Sequence, residues 1–212
     1  MSREGSERDG SERDTGERRE PALEAAIAAA PESLDGYLVY ADWLQQRGEL
    51  RGELIVVQRA LAAAPNDAAL RAREAALFAE HGELLLGPLA RASDARMDWR
   101  CGFVRAIDLG SSLSEADPAL LVELLAHPSM QFVHRFAAVV GADADIVPLA
   151  ERAPRTLRWL ELSGDPDRIG ALKARLGRLP IRLLGVEHLQ IGTRMYRSVA
   201  EWLADSVSGG GG

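Results

Sequence analysis

Two residues have types and neighbours that suggest catalysis, and both lack the partners that catalysis needs. Asp42 precedes Trp43 in a helical stretch and is a candidate general base, yet no histidine, lysine or second carboxylate lies near enough in sequence to form a recognisable pair. Cys101 follows an arginine and precedes Gly102, a setting that favours a lowered thiol pKa, but no Cys-His-Asn order accompanies it. We therefore expect no catalytic residue, and an enzyme of unrecognised type built on Asp42 or Cys101 is the alternative.

The sequence also lacks the patterns of a metal or cofactor site. Its four histidines, which show no paired spacing, are His81, His127, His134 and His188. A single cysteine cannot build a zinc site alone, and the GADAD segment at Gly141 lacks the ligand count of a calcium loop. Neither a phosphate-binding glycine loop nor a Gly-x-Ser-x-Gly motif occurs. We expect no metal and no cofactor.

The second half of the chain offers binding chemistry instead. Four short segments fit the pattern L-x-x-L-x-L, in which the leucine positions face a core and the x positions line the other face of a strand. Neighbouring parallel strands lie about 4.8 Å apart, so equivalent x residues should stack across the sheet. The candidate partner-binding residues, all of which occupy x positions, are Arg105, His134, Arg135, Arg158, Trp159, Glu161, Arg182 and Leu183.

These residues predict a basic surface with an aromatic anchor on an acidic chain. Arginine and tryptophan are enriched at binding hot spots, and a tryptophan exposed without a use is uncommon. We expect a protein partner whose acidic segment contacts the arginines and whose apolar side chain lies near Trp159 and Leu183. The alternative is an ordinary solvated sheet face in a chain that uses arginine freely, since Lys173 is its only lysine.

Two kinds of element would position these residues. The pattern is helical from Pro21 to about Arg91, with a cap expected at Asn66 or Asp67 and a helix end at His81-Gly82. The four segments VRAIDL, VHRFAA, LRWLEL and IRLLGV follow, and they start 29, 24 and 24 residues apart, at Val104, Val133, Leu157 and Ile181. Each precedes a helix-like stretch. A strand, a turn and a helix that recur with a period of about 20–29 residues are typical of a leucine-rich-repeat solenoid.

The helix that begins near Asp35 is interpreted as structural. Its apolar face carries Tyr37, Tyr40, Ala41 and Leu44. We expect a hydrophobic staple between Leu34 and Val39. We also expect Asp42 to be buried beside Trp43, and a buried carboxylate must be paired. Its expected partners are the guanidinium of Arg51 or the backbone N–H groups after Gly48, the residue predicted to end this helix in a left-handed turn.

The stretch YADWLQQRGELRGELIVVQ, from Tyr40 to Gln58, closely resembles the bacterial repeat-companion domain. That family has a Tyr-Ala-Asp-Trp-Leu core, a glycine turn and Arg-Gly-Glu before an apolar helix. HGELLLGPLA and WRCGFVRAIDLG are similar to the family's linking segment. The likeness covers about residues 21–110 by motif. It implies a helical module followed by degenerate leucine-rich repeats, and it carries no enzymatic activity with it.

Composition sets further limits. The 212 residues carry a net charge of −7, which argues against nucleic acid, because duplex binding rests on phosphate neutralisation. No apolar run approaches the ~20 residues that a membrane span needs. The first 20 residues are wholly polar after Met1 and lack the apolar core of a signal peptide, so we expect a cytoplasmic protein that binds no membrane.

We therefore predict an α/β protein in which a small N-terminal helical domain (21–92) caps a short leucine-rich-repeat-like solenoid (93–207) with a parallel sheet of about four strands. Residues 1–20 are expected to be a disordered charged tail and residues 208–212 a flexible glycine tail. The predicted function is non-enzymatic protein–protein interaction, or an adaptor role, through the concave strand face. A structural, self-assembling subunit is the main alternative.

Overall fold

The computed structural model describes residues 19–92, 94–110, 119–141, 147–178 and 183–205. Arg182 lies outside these ranges, as do residues 208–212 and all but the last two residues of the expected N-terminal tail. The described chain is a mixed α/β structure in which a mostly helical N-terminal part precedes a single sheet.

Four helices form the N-terminal part, and local signals in the sequence set most of their ends. They are α1 (Pro21–Ala29), α2 (Leu34–Gln45), α3 (Leu50–Ala63) and α4 (Ala68–Leu86). Gly48 has φ 72° in the turn between α2 and α3, which confirms the predicted left-handed turn. The Asp67 carboxylate accepts hydrogen bonds from the backbone N–H groups of Ala69 and Leu70 and caps α4 as predicted.

Two details of these helices were predicted wrongly. The helix end expected at His81-Gly82 is only a kink, where His81 has φ −132° and ψ 23°, and α4 continues to Leu86 because glycine at 82 keeps a helical conformation. The helix then gives way to a 3-10 helix at Gly87–Arg91. The expected staple is absent, since α2 already begins at Leu34 and Val39 points to solvent with 54% exposure.

The sheet has six strands in chain order, not about four. They are β1 (Arg96–Arg100), β2 (Phe103–Asp108), β3 (Arg135–Val140), β4 (Trp159–Gly164), β5 (His188–Ile191) and β6 (Arg194–Tyr196). The four central strands are parallel, and an antiparallel strand is added at each edge. The edge strands were missed because each is half of a short hairpin without the L-x-x-L-x-L pattern.

Three of the four predicted strand segments lie in the sheet, and the fourth was placed too early. Residues Leu183–Gly185 of that segment form a 3-10 helix, and the strand follows at His188–Ile191. The chain carries a second match to the apolar pattern, starting at Val186, and only this one continues the alignment of Ala106, Arg135, Trp159 and His188. Apolar spacing alone could not choose between two overlapping matches.

Within the part of the chain that the structure describes, helices connecting the strands cover one face of the sheet and none of them covers the other. The helices α5 (Ala119–Ala126), α6 (Val147–Arg152) and α7 (Pro166–Leu176) lie between successive parallel strands, and α8 (Val199–Ala204) follows β6. Their leucines pack in one core with the inward residues of the strands, among them Ile107, Phe136, Leu160 and Leu189. The L positions are therefore buried, as predicted, and the alternate positions line the opposite face.

The turn between β1 and β2 joins the helical part to the sheet. Cys101 and Gly102 have φ 48° and 78°, the positive values that a tight two-residue hairpin turn requires. The Gly102 carbonyl accepts a hydrogen bond from Arg51 Nη1, and its N–H donates to Gln58 Oε1 at 2.7 Å. Both side chains come from α3, so this helix holds the turn and fixes the edge of the sheet.

Candidate partner-binding surface

The uncovered side of the sheet, which we call the open face, is built from two rows of side chains. One row follows the alignment Asp98, Ala106, Arg135, Trp159 and His188. The next row consists of Arg96, Asp108, Ala137, Glu161, Gln190 and Met195. The face thus carries both signs of charge around a few apolar side chains.

Trp159 occupies the middle of the first row and contacts its neighbours on both sides. Its ring centroid lies 4.9 Å from that of His188. The Arg135 guanidinium lies 5.7 Å from the indole centroid, within the range of a cation–π contact, and it donates to Glu161 at 2.7 Å. The indole Nε1 is buried and has no hydrogen-bond partner among the described residues. Trp159 and Arg135 are thus brought together as predicted, while His188 was missed because the fourth strand was misplaced.

A second group of predicted residues lies along the edge where the parallel strands begin. Arg105, His134 and Arg158 follow one another here, and consecutive backbone hydrogen bonds join them. Glu32, from the loop between α1 and α2, accepts from Arg105 at 2.9 Å and from Arg100 at 2.6 Å. Burial alone would raise the pKa of the Glu32 carboxyl, but the two guanidinium groups outweigh it and lower that pKa.

The expected surplus of positive charge on this surface is wrong. Arg105 is paired with Glu32, Arg135 with Glu161, and Arg158 with Glu187 at 3.4 Å. Burial and the neighbouring Arg105 also lower the pKa of His134, which favours its neutral form. Of the predicted arginines, the three that the structure describes therefore contribute no surplus of positive charge, because carboxylates from other segments neutralise them.

Leu183 was assigned to this surface and lies elsewhere. Its side chain is buried, with 3% exposure, in the core between the sheet and the helices. The misplaced fourth strand explains the error, because the residue aligned with Trp159 is His188. An apolar side chain of a partner could therefore pack against Trp159, His188 and the exposed Met195, but not against Leu183.

The residues predicted to be structural behave differently from one another. Trp43 is half-buried and stacks on Tyr40 with ring centroids 5.8 Å apart, and the Arg47 guanidinium lies 4.0 Å from the Trp43 ring. Arg51 is buried as a structural residue, with 1% exposure, and its guanidinium lies 5.1 Å from the Phe103 ring. The burial expected for Asp42 is wrong.

Asp42 is exposed because it does not lie on the buried side of α2. Tyr37, Tyr40, Ala41 and Leu44 are all buried, and Asp42 follows Ala41 by the roughly 100° turn that one helical residue makes. Arg51, the partner expected for its carboxylate, instead donates to the carbonyl of Gly102. The polar residue of this motif is therefore at the surface and the arginine is in the core.

Cys101 has the opposite of the environment that a nucleophilic thiol needs. It is buried, and burial raises the pKa of its thiol despite the nearby Arg100 and Arg59. A raised pKa reduces the thiolate fraction, which is the reactive form. In the ranges that the structure describes, no three histidine, cysteine or acidic residues cluster as a metal site would require. The alternative of an enzyme built on Asp42 or Cys101 gains no support from this geometry.

No protein-family model, curated protein or solved structure matches the chain. The resemblance to the repeat-companion domain, which depends on the motif between Tyr40 and Gln58 and on the two linking segments, stays a prediction. In the described part of the chain, none of the helices combines the length and the apolar character needed to cross a bilayer.

Proposed function

We propose that this chain is a non-enzymatic protein-interaction module that binds a partner polypeptide on the open face of its sheet. The observation that carries the proposal is the group formed by Arg135, Trp159 and His188 in the middle of that face. Aromatic and arginine side chains grouped at the centre of a surface are the usual source of binding energy in protein interfaces. Such a module would act as an adaptor.

The surroundings of Trp159 suggest the chemistry of the partner. A shallow recess of about 280 Å³ lies beside Arg135, and Asp98, Ala106 and Asp108 contribute to its wall. An aromatic or apolar side chain of the partner would stack on Trp159 and His188, and a polar side chain would enter the recess. Because Arg105, Arg135 and Arg158 are each paired with a carboxylate, the proposal does not require an acidic partner for this face.

We also propose that the second half of the chain is a short leucine-rich-repeat-like array that the helical part caps. Three observations support this: the central strands are parallel and in chain order, helices connect them, and buried residues repeat in register. Arg51 and Gln58 of α3 form hydrogen bonds with the β1–β2 turn, and these would keep the helical part against the first end of the array and shield it. Residues 21–92 and 93–207 are the proposed limits of the two parts.

The experiment is a quantitative pull-down from a lysate of the source cell. It compares the wild type with the double variant Arg135→Glu plus Trp159→Ala, in which the central group is removed. A matched control, Arg178→Glu plus Val39→Ala, makes the same two kinds of change at exposed positions away from the open face. Circular dichroism establishes that all three proteins are folded.

We expect a partner that the wild type and the control capture and that the double variant loses. Capture of the same proteins by all three would remove the open face as the working surface. A wild type that captures nothing above an empty resin would do the same.

Self-assembly through the same face is a second candidate, and the exposure of Met195 favours it. This side chain is 52% exposed at the β6 edge of the open face, where a second copy would cover it. Light scattering over a range of protein concentrations tests this function. A mass that rises with concentration for the wild type and the control, but not for the double variant, would assign the face to self-association.

A further inference from the structure

A cleft of about 730 Å³ lies outside the open face, at the end of the molecule where the parallel strands begin. One wall is the α1 helix, and the other consists of the segments that lead into β3 and β4. Its volume falls within the range of about 300–1,000 Å³ that ligand sites occupy. The open-face proposal makes no use of this cleft.

The cleft carries positive charge that its own residues do not neutralise. Arg152 and Arg155 line it, both are exposed, and their side chains form no ion pair or hydrogen bond with another described residue. By contrast, the Arg19 guanidinium donates to the Glu24 carboxylate at 2.7 Å, and that carboxylate also accepts from the Tyr40 hydroxyl at 3.1 Å. The acidic group in the cleft wall is thus already satisfied, while two cations remain available.

His127 in the same wall adds no charge near neutral pH. Burial, and then the charge of Arg51, lower its pKa to about 4. Its Nδ1 accepts a hydrogen bond from the backbone N–H of Ser129 at 3.3 Å, which requires that nitrogen to be unprotonated. The binding chemistry of the cleft therefore rests on arginine.

The rest of the lining is small and apolar. Ala25, Ala28 and Ala29 line it from α1, where their spacing places them on one side of the helix. Phe132 and Pro154 line it from the opposite wall. Alanine side chains leave room for an incoming apolar group, and removing such a group from water is favourable.

We propose that this cleft binds an acidic segment of a partner polypeptide, with carboxylates on Arg152 and Arg155 and an adjacent apolar side chain against the alanines of α1. Arginine matches a carboxylate with two parallel hydrogen bonds. A small inorganic anion would use the arginines and leave the apolar wall uncovered. Duplex nucleic acid is disfavoured by the net charge of −7.

The test uses the full chain and a fluorescein-labelled peptide of sequence Glu-Asp-Leu-Phe-Asp-Glu, with fluorescence anisotropy as the readout. The charge variant is Arg152→Glu plus Arg155→Glu. Its matched control, Arg178→Glu plus Arg197→Glu, changes the net charge equally at exposed positions outside the cleft. A third variant, Ala25→Phe, fills the apolar wall from an exposed helix position and leaves every charge in place.

We expect the wild type and the control to bind the peptide with similar affinity and the charge variant to bind at least about tenfold more weakly. The loss of two charge-assisted contacts easily exceeds the 1.4 kcal/mol that corresponds to tenfold. Ala25→Phe should also weaken binding, and the amide peptide Gln-Asn-Leu-Phe-Asn-Gln should bind poorly to the wild type.

Four results would overturn the proposal. The first is no saturable binding to the wild type. The second is equal weakening by the charge variant and its control, which would indicate attraction by net charge alone. The third is displacement of the peptide by inorganic phosphate at the peptide's own concentration, which would make the cleft a small-anion site. Binding that appears only after residues 1–18 are deleted would assign the cleft to the chain's own N-terminus and would also overturn the proposal of a separate partner.

Discussion

Two helices, α2 and α3, approach each other closely at Gly52, in the middle of the Arg-Gly-Glu motif of α3. A Cβ atom at this position would lie 2.8 Å from the Ala41 carbonyl oxygen and 2.9 Å from the Gln45 backbone nitrogen. Both atoms belong to the backbone of α2, so neither can rotate away as a side chain could. We predict that Gly52→Ala destabilises the fold, although alanine is the better helix former.

The magnitude follows from two opposing contributions. Replacing glycine by alanine in a helix normally stabilises it by about 1 kcal/mol. Forcing an extra methyl group into a closely packed contact costs typically about 1–3 kcal/mol, because α2 and α3 must move apart. We expect the free energy of unfolding to fall by up to about 2 kcal/mol.

Gly170 provides the matched control, because it is also helical but exposed, and a Cβ atom there would have no neighbour within 4 Å. Gly170→Ala should stabilise the protein by up to about 1 kcal/mol. Urea unfolding of both variants measures the free-energy changes. The opposite signs are the test: if Gly52→Ala stabilises the protein as much as Gly170→Ala does, the argument from close helix packing fails.

Two further predictions concern buried polar groups. Arg51→Leu should lower the free energy of unfolding by about 2–4 kcal/mol, because it leaves the Gly102 carbonyl without its donor and removes the contact with Phe103; an unchanged urea midpoint would show that the arginine is dispensable. Folding lowers the pKa of His127 from 6.5 to about 4. As the pH falls from about 6.5 to about 4, the unfolded chain therefore binds a proton that the folded chain does not, and the free energy of unfolding declines. His127→Gln should remove on the order of 1–3 kcal/mol of the loss between about pH 7 and about pH 4; urea midpoints that keep the wild-type pH slope would contradict this.

Local signals explain why most of the helical part could be predicted. Pro21 begins α1, Gly48 separates α2 from α3, and Asp67 caps α4, each by interactions within a few residues of the chain. The sequence predicts a helix end at His81 because the following Gly82 resembles a cap, whereas the helix continues past it with a kink. The buried stripe of α2 was also predictable, since apolar spacing reports which side of a helix faces the core.

The positions of the strands could be predicted only in part from the sequence. Burial at Ile107, Phe136 and Leu160 repeats in register, and the sequence pattern predicts it. Leu189, which continues this row in β5, lies outside the predicted fourth segment. The choice of Val186 over Ile181 as the start of the fourth match depends on how β5 aligns with β4, which no local signal records. The edge strands depend likewise on pairing with a neighbour and not on their own composition.

The charge of the predicted surface could be predicted only in part: Glu161 was among the predicted residues, but Glu32 comes from a distant part of the chain. Glu32 is 68 residues from Arg100 and 73 from Arg105, and Glu161 is 26 residues from Arg135. Listing arginines on a strand therefore overstates the charge that a partner meets. Beside the cleft, by contrast, Arg152 and Arg155 form no side-chain ion pair or hydrogen bond with another described residue. It follows that aromatic contact should dominate recognition on the open face, while binding in the cleft should weaken steeply with added salt, which screens exposed charges.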